Sequence, residues 1–480
     1  MPYYRQIAVL LLFFLILFIF IYPNQDSFIY TILKGVAIGG LVVIFISFAF
    51  PQVFKIREMQ TVEIEDSEIG LKEPSLSMNV KTQYKRLLLQ ILDLIKNVNA
   101  KFSVGIYMID TENKGYTCQE KSYPDFSNFI ETDNEISGVG IAYGNPEVVK
   151  SIVETQLKPS LIGENPLYIE GLWEKMYSGS RGIPSLNRGV SQPTFSRRGD
   201  TLCAIAGIDI ALWDILGKFF EKPIYKILGA SRNRVRAYAS GGWAPGNKAG
   251  EEMGQYAAKG FSAVKMRAEG IDGFSLTKLR TRVGSARKVL GPDIELMVDA
   301  HGSFDVSTAK RVAKILEEFN VDWFEEPVSY DDHIGQAEVR ESTSVPISSG
   351  ESESTRFEVL DLLRNRSVDI VQPDVAMSGW ITENRRIAAL AGAYNVRYAP
   401  HVWGSGVTFA ASIHLAMPAP NCFIFEVSQS NSPLNWELFV EPFEIKDGYV
   451  YAADRPGLGF TLRDGLEKQY PFQKGPSYIY

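Results

Sequence analysis

Between residues 200 and 440, the hydrophobic and polar positions follow two alternating periods. Short apolar runs rich in β-branched residues predict strands, and apolar residues spaced three and four apart predict amphipathic helices between them. Clear helical examples are STAKRVAKILEEF (307–319) and ITENRRIAALAGAY (381–394). The predicted strands lie at 235–240, 262–267, 294–300, 321–326, 345–351, 368–374, 396–401 and 423–427.

This alternation predicts the fold class. About eight βα units over about 240 residues are typical of a closed parallel barrel of the TIM type, which we place at residues 201–440. A doubly wound open sheet is the alternative. Such a sheet usually carries a glycine-rich phosphate loop after an early strand, and no GxGxxG or GxxxxGK pattern stands there.

The start of the chain has a different pattern, with two long apolar runs. Ile7–Tyr22 contains no charged residue, and Phe28–Phe50 is interrupted only by Lys34. A spanning helix needs about 20 apolar residues, so residues 1–50 predict a transmembrane helical hairpin that contacts the membrane through residues 7–50. Basic residues flank the pair, which places both ends in the cytoplasm. A cleaved signal peptide is the alternative, but no small-residue cleavage site follows the first run. We therefore expect a membrane-anchored protein whose catalytic domain lies in the cytoplasm.

Residues 51–126 predict a polar linker, an amphipathic helix at 83–98 and a strand at 101–110. The order of hairpin, helix and strand resembles the start of a GAF-type sensory domain. Only about 40 residues carry this resemblance, which is too short for a complete sensory domain.

Composition excludes several function classes. The net charge is -7 and no block of Lys and Arg is present, so we expect no nucleic-acid partner. The three cysteines lie far apart, which argues against a disulfide framework or a zinc site.

The carboxyl ends of the predicted strands carry ionisable residues one after another. In a parallel barrel the catalytic side chains lie at these ends. Three carboxylates from neighbouring strands need a cation, and oxygen ligands without cysteine suit Mg²⁺. A single acidic residue at a strand end is usually a helix cap or a solvated loop residue, but a series over seven strands is harder to explain in that way. The strand-end residues are Lys265, Arg267, Asp299, Glu325, Glu351, Asp374, His401 and Glu426.

Several motifs in fixed order identify a family resemblance. They are AIAGIDIALWDILGK (204–218), VKMR (264–267), VDAHGSF (298–304), WFEEP (323–327), SGE (349–351), QPD (372–374) and APH (399–401). With these motifs, residues 127–470 resemble the enolase superfamily, in its mandelate racemase and muconate lactonizing branch. The resemblance implies a (β/α)7β barrel, an α+β capping domain at 127–200 and a C-terminal segment at 441–480 that returns to the cap.

The cap is expected to be incomplete. Family members begin with a three-stranded meander, and only its last strand, at about 127–142, is recognisable in the sequence. The loop that closes over the substrate would then be impaired, and loss of closure costs catalytic rate.

The resemblance also implies roles for the strand-end residues. His401 would be the general base, oriented by Asp374, and Lys265 would neutralise a substrate carboxylate to which Glu426 hydrogen-bonds. Arg267 and His301 are further candidates for substrate binding. The implied Mg²⁺ ligands are Asp299, Glu325 and Glu351.

One departure from the family pattern favours a particular reaction. Racemases of this branch have a second lysine base where this chain has Arg267, and arginine is a poor base because it stays protonated. One base is enough to remove an α-proton with loss of a β-hydroxyl. We therefore expect an Mg²⁺-dependent dehydratase that converts an acid sugar, an aldonate or aldarate, through an enediolate to a 2-keto-3-deoxy acid.

Two alternatives remain open. The first is a catalytically impaired, membrane-anchored binding or sensor protein. The second is a racemase, epimerase or cycloisomerase of the same superfamily. Family members often form dimers or octamers, so the resemblance also allows a homo-oligomer.

Overall fold

The computed structural model describes residues 104–108, 126–132, 136–191, 193 and 198–469. The predicted hairpin at 1–50 and the predicted helix at 83–98 lie outside these residues. Residues 97–480 form one compact unit, which contains every element described below.

The described chain begins with a three-stranded antiparallel meander. Its strands are β1 (Val104–Met108), β2 (Phe126–Thr132) and β3 (Ser137–Ala142), paired in that order. In register, Ile106 lies opposite Ile130 and Phe129 lies opposite Val139. The expectation of a cap without its first two strands is therefore wrong. The first strand lies within residues 51–126, the segment that the sequence predicts to include a sensor-like region.

Helices complete the cap. The first of them begins where Asn145 accepts a hydrogen bond from the backbone N–H of Glu147 at 3.0 Å, with Pro146 at the first helical position, and both residues favour a helix start. The cap helices are α1 (Pro146–Ile152), α2 (Lys158–Leu161), α3 (Ile169–Ser178), α4 (Gly182–Arg188), α5 (Asp200–Phe219) and α6 (Ile224–Ile227).

Helix α5 packs directly on strand β3. A Cβ added to Gly140 in β3 would lie 1.7 Å from the carbonyl oxygen of Gly207 in α5, so the two elements approach more closely than any side chain allows. Asp214 of α5 accepts hydrogen bonds from the N–H of Val139 at 3.1 Å and from the N–H of Leu458 at 2.8 Å. This buried carboxylate joins the cap meander to the C-terminal segment.

Eight parallel strands form the barrel. Each of the first seven strands is hydrogen-bonded to the next in sequence order, and the eighth strand pairs with the first. A parallel bridge from Tyr398 to Cys422, which lies three residues before the eighth strand, joins the seventh strand to the chain that enters the eighth and closes the ring. The strands are β4 (Arg234–Gly241), β5 (Ala263–Arg267), β6 (Glu295–Asp299), β7 (Trp323–Glu325), β8 (Ile347–Ser349), β9 (Ile370–Val371), β10 (Arg397–Tyr398) and β11 (Phe425–Ser428).

Seven helices connect these strands, so the predicted (β/α)7β barrel is confirmed. Four of them begin at a Ser or Asp whose side chain accepts a backbone hydrogen bond, as is usual for N-caps. The helices are α7 (Lys248–Ala258), α8 (Leu276–Leu290), α9 (Val306–Glu318), α10 (His333–Glu341), α11 (Thr355–Arg364), α12 (Trp380–Ala393) and α13 (Gly406–Ala416).

The chain after the barrel is short and irregular. A strand at Tyr449–Tyr451 pairs antiparallel with β4, and Leu458 and Leu466 pack among the buried residues of α5 and the cap. The remaining elements are α14 (Pro433–Trp436), β12 (Ile445–Lys446), β13 (Tyr449–Tyr451) and α15 (Leu466–Gln469).

The predicted membrane-anchored localisation is contradicted. Within the part of the chain that the structure describes, no helix combines the length and the apolar character that crossing a bilayer requires.

Candidate active site

The candidate site is formed by one layer of polar side chains inside the barrel, next to an apolar layer. Because strand side chains alternate between two faces, the next inward position lies two residues further along each strand. One inward layer is apolar and contains Tyr238, Ala263, Met297, Trp323, Ile370, Ala399 and Ile424. The positions two residues further on are polar and carry Ser240, Lys265, Asp299, Glu325, Gln372, His401 and Glu426.

Lys265 is the cation at the centre of this polar layer. It is 3% exposed, and its ammonium group contacts Glu325 directly, Glu426 at 3.0 Å and Asp299 at 3.8 Å. Burial opposes its charge, but the attraction of Glu325 and Glu426 outweighs burial and raises the pKa of Lys265 well above its usual value. Lys265 therefore stays charged.

Arg267 is the second cation. Its guanidinium donates a hydrogen bond to Oδ2 of Asp299. Burial works against the charge here too, but the Asp299 and Glu351 carboxylates outweigh it and raise the pKa of Arg267. The residue cannot give up its proton and cannot act as a base.

The predicted metal ligands Asp299 and Glu325 lie on paired strands, opposite each other in register. Glu325 is fully buried and accepts hydrogen bonds from Gln372 at 2.7 Å and from the indole N–H of Trp323 at 3.1 Å. Burial raises the pKa of Glu325 to about 7, although the charge of Lys265 opposes the rise. A divalent cation bound at this position would favour the ionised form of Glu325.

Glu351, the third predicted ligand, lies between two imidazoles. His301 Nδ1 is 3.2 Å from Oε1, and His401 Nε2 is 3.5 Å from Oε2. Burial alone would raise the pKa of Glu351, but the nearby His401 and His301 outweigh it and lower the pKa below its usual value. The structure therefore brings His301, a weaker candidate in the sequence, to the same carboxylate as the predicted base.

His401 and Asp374 form the predicted dyad. Asp374 is fully buried, and its Oδ2 lies 2.6 Å from His401 Nδ1. This contact fixes the ring so that Nε2 faces Glu351 and Glu426, the latter at 3.9 Å. Burial lowers the basicity of the ring, but the surrounding carboxylates Glu351, Glu426 and Asp374 raise the pKa of His401 well above its usual value.

Glu426 closes the ring of polar residues from the last strand. Its Oε2 accepts a hydrogen bond from the backbone N–H of Val402 at 2.7 Å. Burial tends to raise the pKa of Glu426, but Lys265 and His401 lower it. Glu426 is therefore an ionised hydrogen-bond acceptor beside the dyad.

Glu326 is a site residue that the sequence did not identify. Strand alternation predicts that it faces away from Glu325, but strand β7 ends at Glu325 and Glu326 has a positive φ of 39°, which turns the side chain back. One ligand atom each from His301, Glu326 and Glu351 lies within 4.8 Å of the others. Oε1 of Glu326 is buried without a hydrogen-bond partner in the described part of the chain.

The site as a whole suits a hard divalent cation. Asp299, Glu325 and Glu351 offer carboxylate oxygens, the ligands that Mg²⁺ prefers. Lys265 is buried and Arg267 is partly buried, and these two cations are outnumbered by the buried carboxylates Asp299, Glu325, Glu351 and Glu426. An additional positive charge would improve this balance.

Comparison with known proteins identifies the family. Residues 128–229 match the mandelate racemase / muconate lactonizing enzyme N-terminal domain. Residues 248–466 match the family described as enolase C-terminal domain-like. The chain belongs to the enolase superfamily, in the family of mandelate racemase and muconate lactonizing enzyme, as the motifs had indicated.

Individual relatives cover most of the same region. Arabinonate dehydratase from Saccharolobus solfataricus is 35% identical over 347 residues, which are 71% of this chain and 89% of that protein. D-galactarolactone cycloisomerase from Agrobacterium fabrum is 34% identical over 352 residues, 70% of this chain and 89% of that protein. A solved enolase-superfamily member from Polaromonas sp. JS666 superimposes with a TM-score of 0.70 at 31% identity, over 79% of this chain and all of that one. These relatives support an enzyme of the enolase superfamily and leave the reaction to be assigned. They give no support to the predicted sensor-like region or to the membrane hairpin.

Proposed function

We propose that the protein is an Mg²⁺-dependent dehydratase of an acid sugar, an aldonate or aldarate, which forms a 2-keto-3-deoxy acid. The observation that carries the proposal is the His401–Asp374 dyad at 2.6 Å beside a ring of buried carboxylates and the cation Lys265. A dyad of this kind supplies one base, and Arg267 supplies none.

The proposed metal ligands are Asp299, Glu325 and Glu351. When bound, Mg²⁺ supplies positive charge next to the substrate carboxylate, where negative charge increases as the α-proton leaves. Lys265 and Arg267 add fixed positive charge at the same place, and Gln372 holds Glu325 in position through its 2.7 Å hydrogen bond.

The chain's own residues then account for the proton movements. In its neutral form, which a cation bound by the neighbouring carboxylates would favour, His401 Nε2 takes the α-proton, and Asp374 stabilises the imidazolium that forms. The β-carbon loses its hydroxyl group, which leaves as water after it receives one proton. His401 can return its proton for this purpose, or His301, which contacts the other oxygen of Glu351, can donate one. The resulting enol takes a proton at the β-carbon and loses the proton of its C2 hydroxyl, which gives the 2-keto-3-deoxy acid.

A cycloisomerase is the second candidate, because relatives of similar identity carry that name. It uses the same base and the same anionic intermediate, so only the fate of the intermediate differs. The other alternative, a catalytically impaired binding protein, depended on an incomplete cap. The complete meander removes that argument.

Proton NMR in D₂O tests the proposal. The full-length protein with Mg²⁺ is incubated with a panel of aldonates, aldarates and their lactones. Loss of the α-proton signal together with a 2-keto-3-deoxy product establishes the dehydratase. Ring opening or closure without loss of water establishes the cycloisomerase, and no reaction on any member of the panel contradicts both.

Two variants separate the base from the metal site. His401→Asn should reduce turnover by at least about 100-fold while Mn²⁺, used as a spectroscopic probe, still binds. Asp299→Asn should weaken Mn²⁺ binding by at least about tenfold, because a charged ligand is lost. Normal α-proton exchange in His401→Asn would remove His401 from the role of base, and unchanged Mn²⁺ affinity in Asp299→Asn would refute the proposed ligand set.

A further inference from the structure

A side chain from the cap reaches the catalytic dyad. Tyr143 follows strand β3 of the meander and is 8% exposed. Its hydroxyl lies 3.5 Å from Oδ2 of Asp374, and it donates a hydrogen bond to the carbonyl oxygen of Trp403. The same oxygen of Asp374 accepts the hydrogen bond from His401. One phenol therefore touches both the carboxylate of the dyad and the loop that begins at His401.

The loop after His401 is shaped to admit this phenol. Gly404 has a φ of +103°, which favours glycine, and a Cβ at this position would lie 2.8 Å from the Tyr143 hydroxyl oxygen. Any side chain at 404 would therefore be strained and would also displace the phenol. The backbone and the tyrosine form one complementary contact between cap and barrel.

We propose that Tyr143 is a positioning residue through which the cap fixes the geometry of the His401–Asp374 dyad. This inference rests on the proposed function of the dyad as the base. The two members of the dyad stand on neighbouring strands, joined by a parallel bridge between Asp374 and His401. The hydroxyl donates its proton to the Trp403 carbonyl while its oxygen lies against Asp374, so the phenol limits the movement of one strand end relative to the other. Proton abstraction depends on such positioning, because small displacements of a base reduce the rate strongly.

The test is Tyr143→Phe, which keeps the ring and removes the hydroxyl. The chain contains four histidines, so a ¹⁵N-histidine spectrum of the full-length protein reports on each imidazole. The His401 resonances should shift, whereas those of His414, which is buried and accepts a hydrogen bond from the N–H of Tyr225, should not. In turnover, kcat should fall about five- to tenfold with KM within about twofold, since the hydrogen bond to the Trp403 carbonyl and the contact with Asp374 are lost. The kinetic isotope effect with α-deuterated substrate should rise.

Tyr256→Phe is the matched control. Tyr256 is also 8% exposed, and its hydroxyl donates to Oε1 of Glu252 at 2.9 Å. This variant should leave kcat and the His401 resonances unchanged. Gly404→Ala offers a second approach to the same contact. The double variant Tyr143→Phe/Gly404→Ala should lose no more kcat than the more impaired of the two single variants, because the two substitutions disrupt the same interaction.

The outcomes separate this proposal from the proposed function. Unmoved His401 resonances and a kcat within twofold of wild type in Tyr143→Phe would overturn the positioning role. The positioning role would also be overturned if the fold-losses of kcat in the two single variants multiplied fully in the double variant. If the wild-type protein turns over no acid sugar but the His401 resonances still shift, the proposed reaction fails and the contact between cap and dyad stands.

Discussion

At the scale of single residues, Asp209 in helix α5 shows how a buried acid makes stability depend on pH. Its carboxylate is fully buried and accepts hydrogen bonds from the N–H and the hydroxyl of Thr382, at 3.0 and 2.6 Å. Burial raises the pKa of Asp209 from 3.8 to about 7, although the Thr382 hydrogen bonds oppose the rise. The residue takes no part in the proposed reaction, so its titration can be followed through stability alone.

The direction in which stability changes with pH follows from the linkage between proton binding and folding. The folded state binds the proton more tightly than the unfolded state, so the contribution of protonated Asp209 is complete below about pH 4 and is lost as the pH rises to about 7. Asp209→Asn cannot ionise. Wild type should lose about 2 to 3 kcal/mol in free energy of unfolding from pH 5 to pH 8 as Asp209 ionises, and the variant should not show this loss. Urea denaturation at both pH values measures this difference.

Asp305→Asn is the control for this prediction. Asp305 caps helix α9 on the surface, where hydrogen bonds from Thr308 lower its pKa. Its titration therefore lies below pH 5, and any loss of stability in the variant should be the same at pH 5 and pH 8. An Asp209→Asn variant whose stability parallels that of wild type over this range would show that Asp209 does not titrate between pH 5 and pH 8 and would contradict the raised pKa.

At the scale of elements, the close contact between strand β3 and helix α5 holds the cap together. A Cβ on Gly140 would lie 1.7 Å from the carbonyl oxygen of Gly207, a separation that atoms cannot adopt. Gly140→Ala should therefore push the strand away from the helix and lower the free energy of unfolding by about 3 kcal/mol or more, as overpacking of a core does. Thermal and urea unfolding measure the loss.

Gly171→Ala is the matched control in the same domain. Gly171 lies in helix α3, and a Cβ there meets no atom within 4 Å. The substitution should raise stability by up to about 1 kcal/mol, because alanine is the better helix former. The two Gly→Ala changes should thus have opposite signs, and a stable Gly140→Ala variant would mean that β3 and α5 can separate without cost.

At the scale of the whole molecule, the sequence predicted those features that depend on local periodicity. The apolar runs predict the barrel strands. The polar residues at the carboxyl ends of these runs predict the layer with Lys265, Asp299 and Glu325. The tertiary details could not be read in this way. Glu326 turns inward because of a positive φ that no residue type requires. Tyr143 in the cap contacts Asp374 in the barrel, 231 residues further along the chain. No hydrophobic periodicity predicts a contact over that separation.

At this scale the largest difference between prediction and structure is the cap, which the sequence predicts to lack its first two strands. The sequence correctly indicated a strand near 101–110, but the helical and apolar segments before it suggested a sensor-like region. Seventeen residues separate Met108 from Phe126, which is long for a connection in a meander. Pairing across that distance is a tertiary fact, and only the backbone register of β1 with β2 reveals it.

Truncation tests whether strand β1 completes the cap. Residues 97–480 form one compact unit, so a chain that begins at residue 97 should fold and should protect the amides of β2 from hydrogen exchange. A chain that begins at residue 113 lacks β1 and leaves one edge of Phe126–Thr132 unpaired. Its free energy of unfolding should fall by about 2 to 4 kcal/mol, since several hydrogen bonds of about 1 kcal/mol each are lost. Hydrogen exchange of the peptide that contains residues 126–132 should accelerate at the same time, while the barrel strand Glu295–Asp299 keeps its protection. Equal protection of 126–132 in the two chains would show that β1 does not pair in solution, and the interpretation of an incomplete cap would then return.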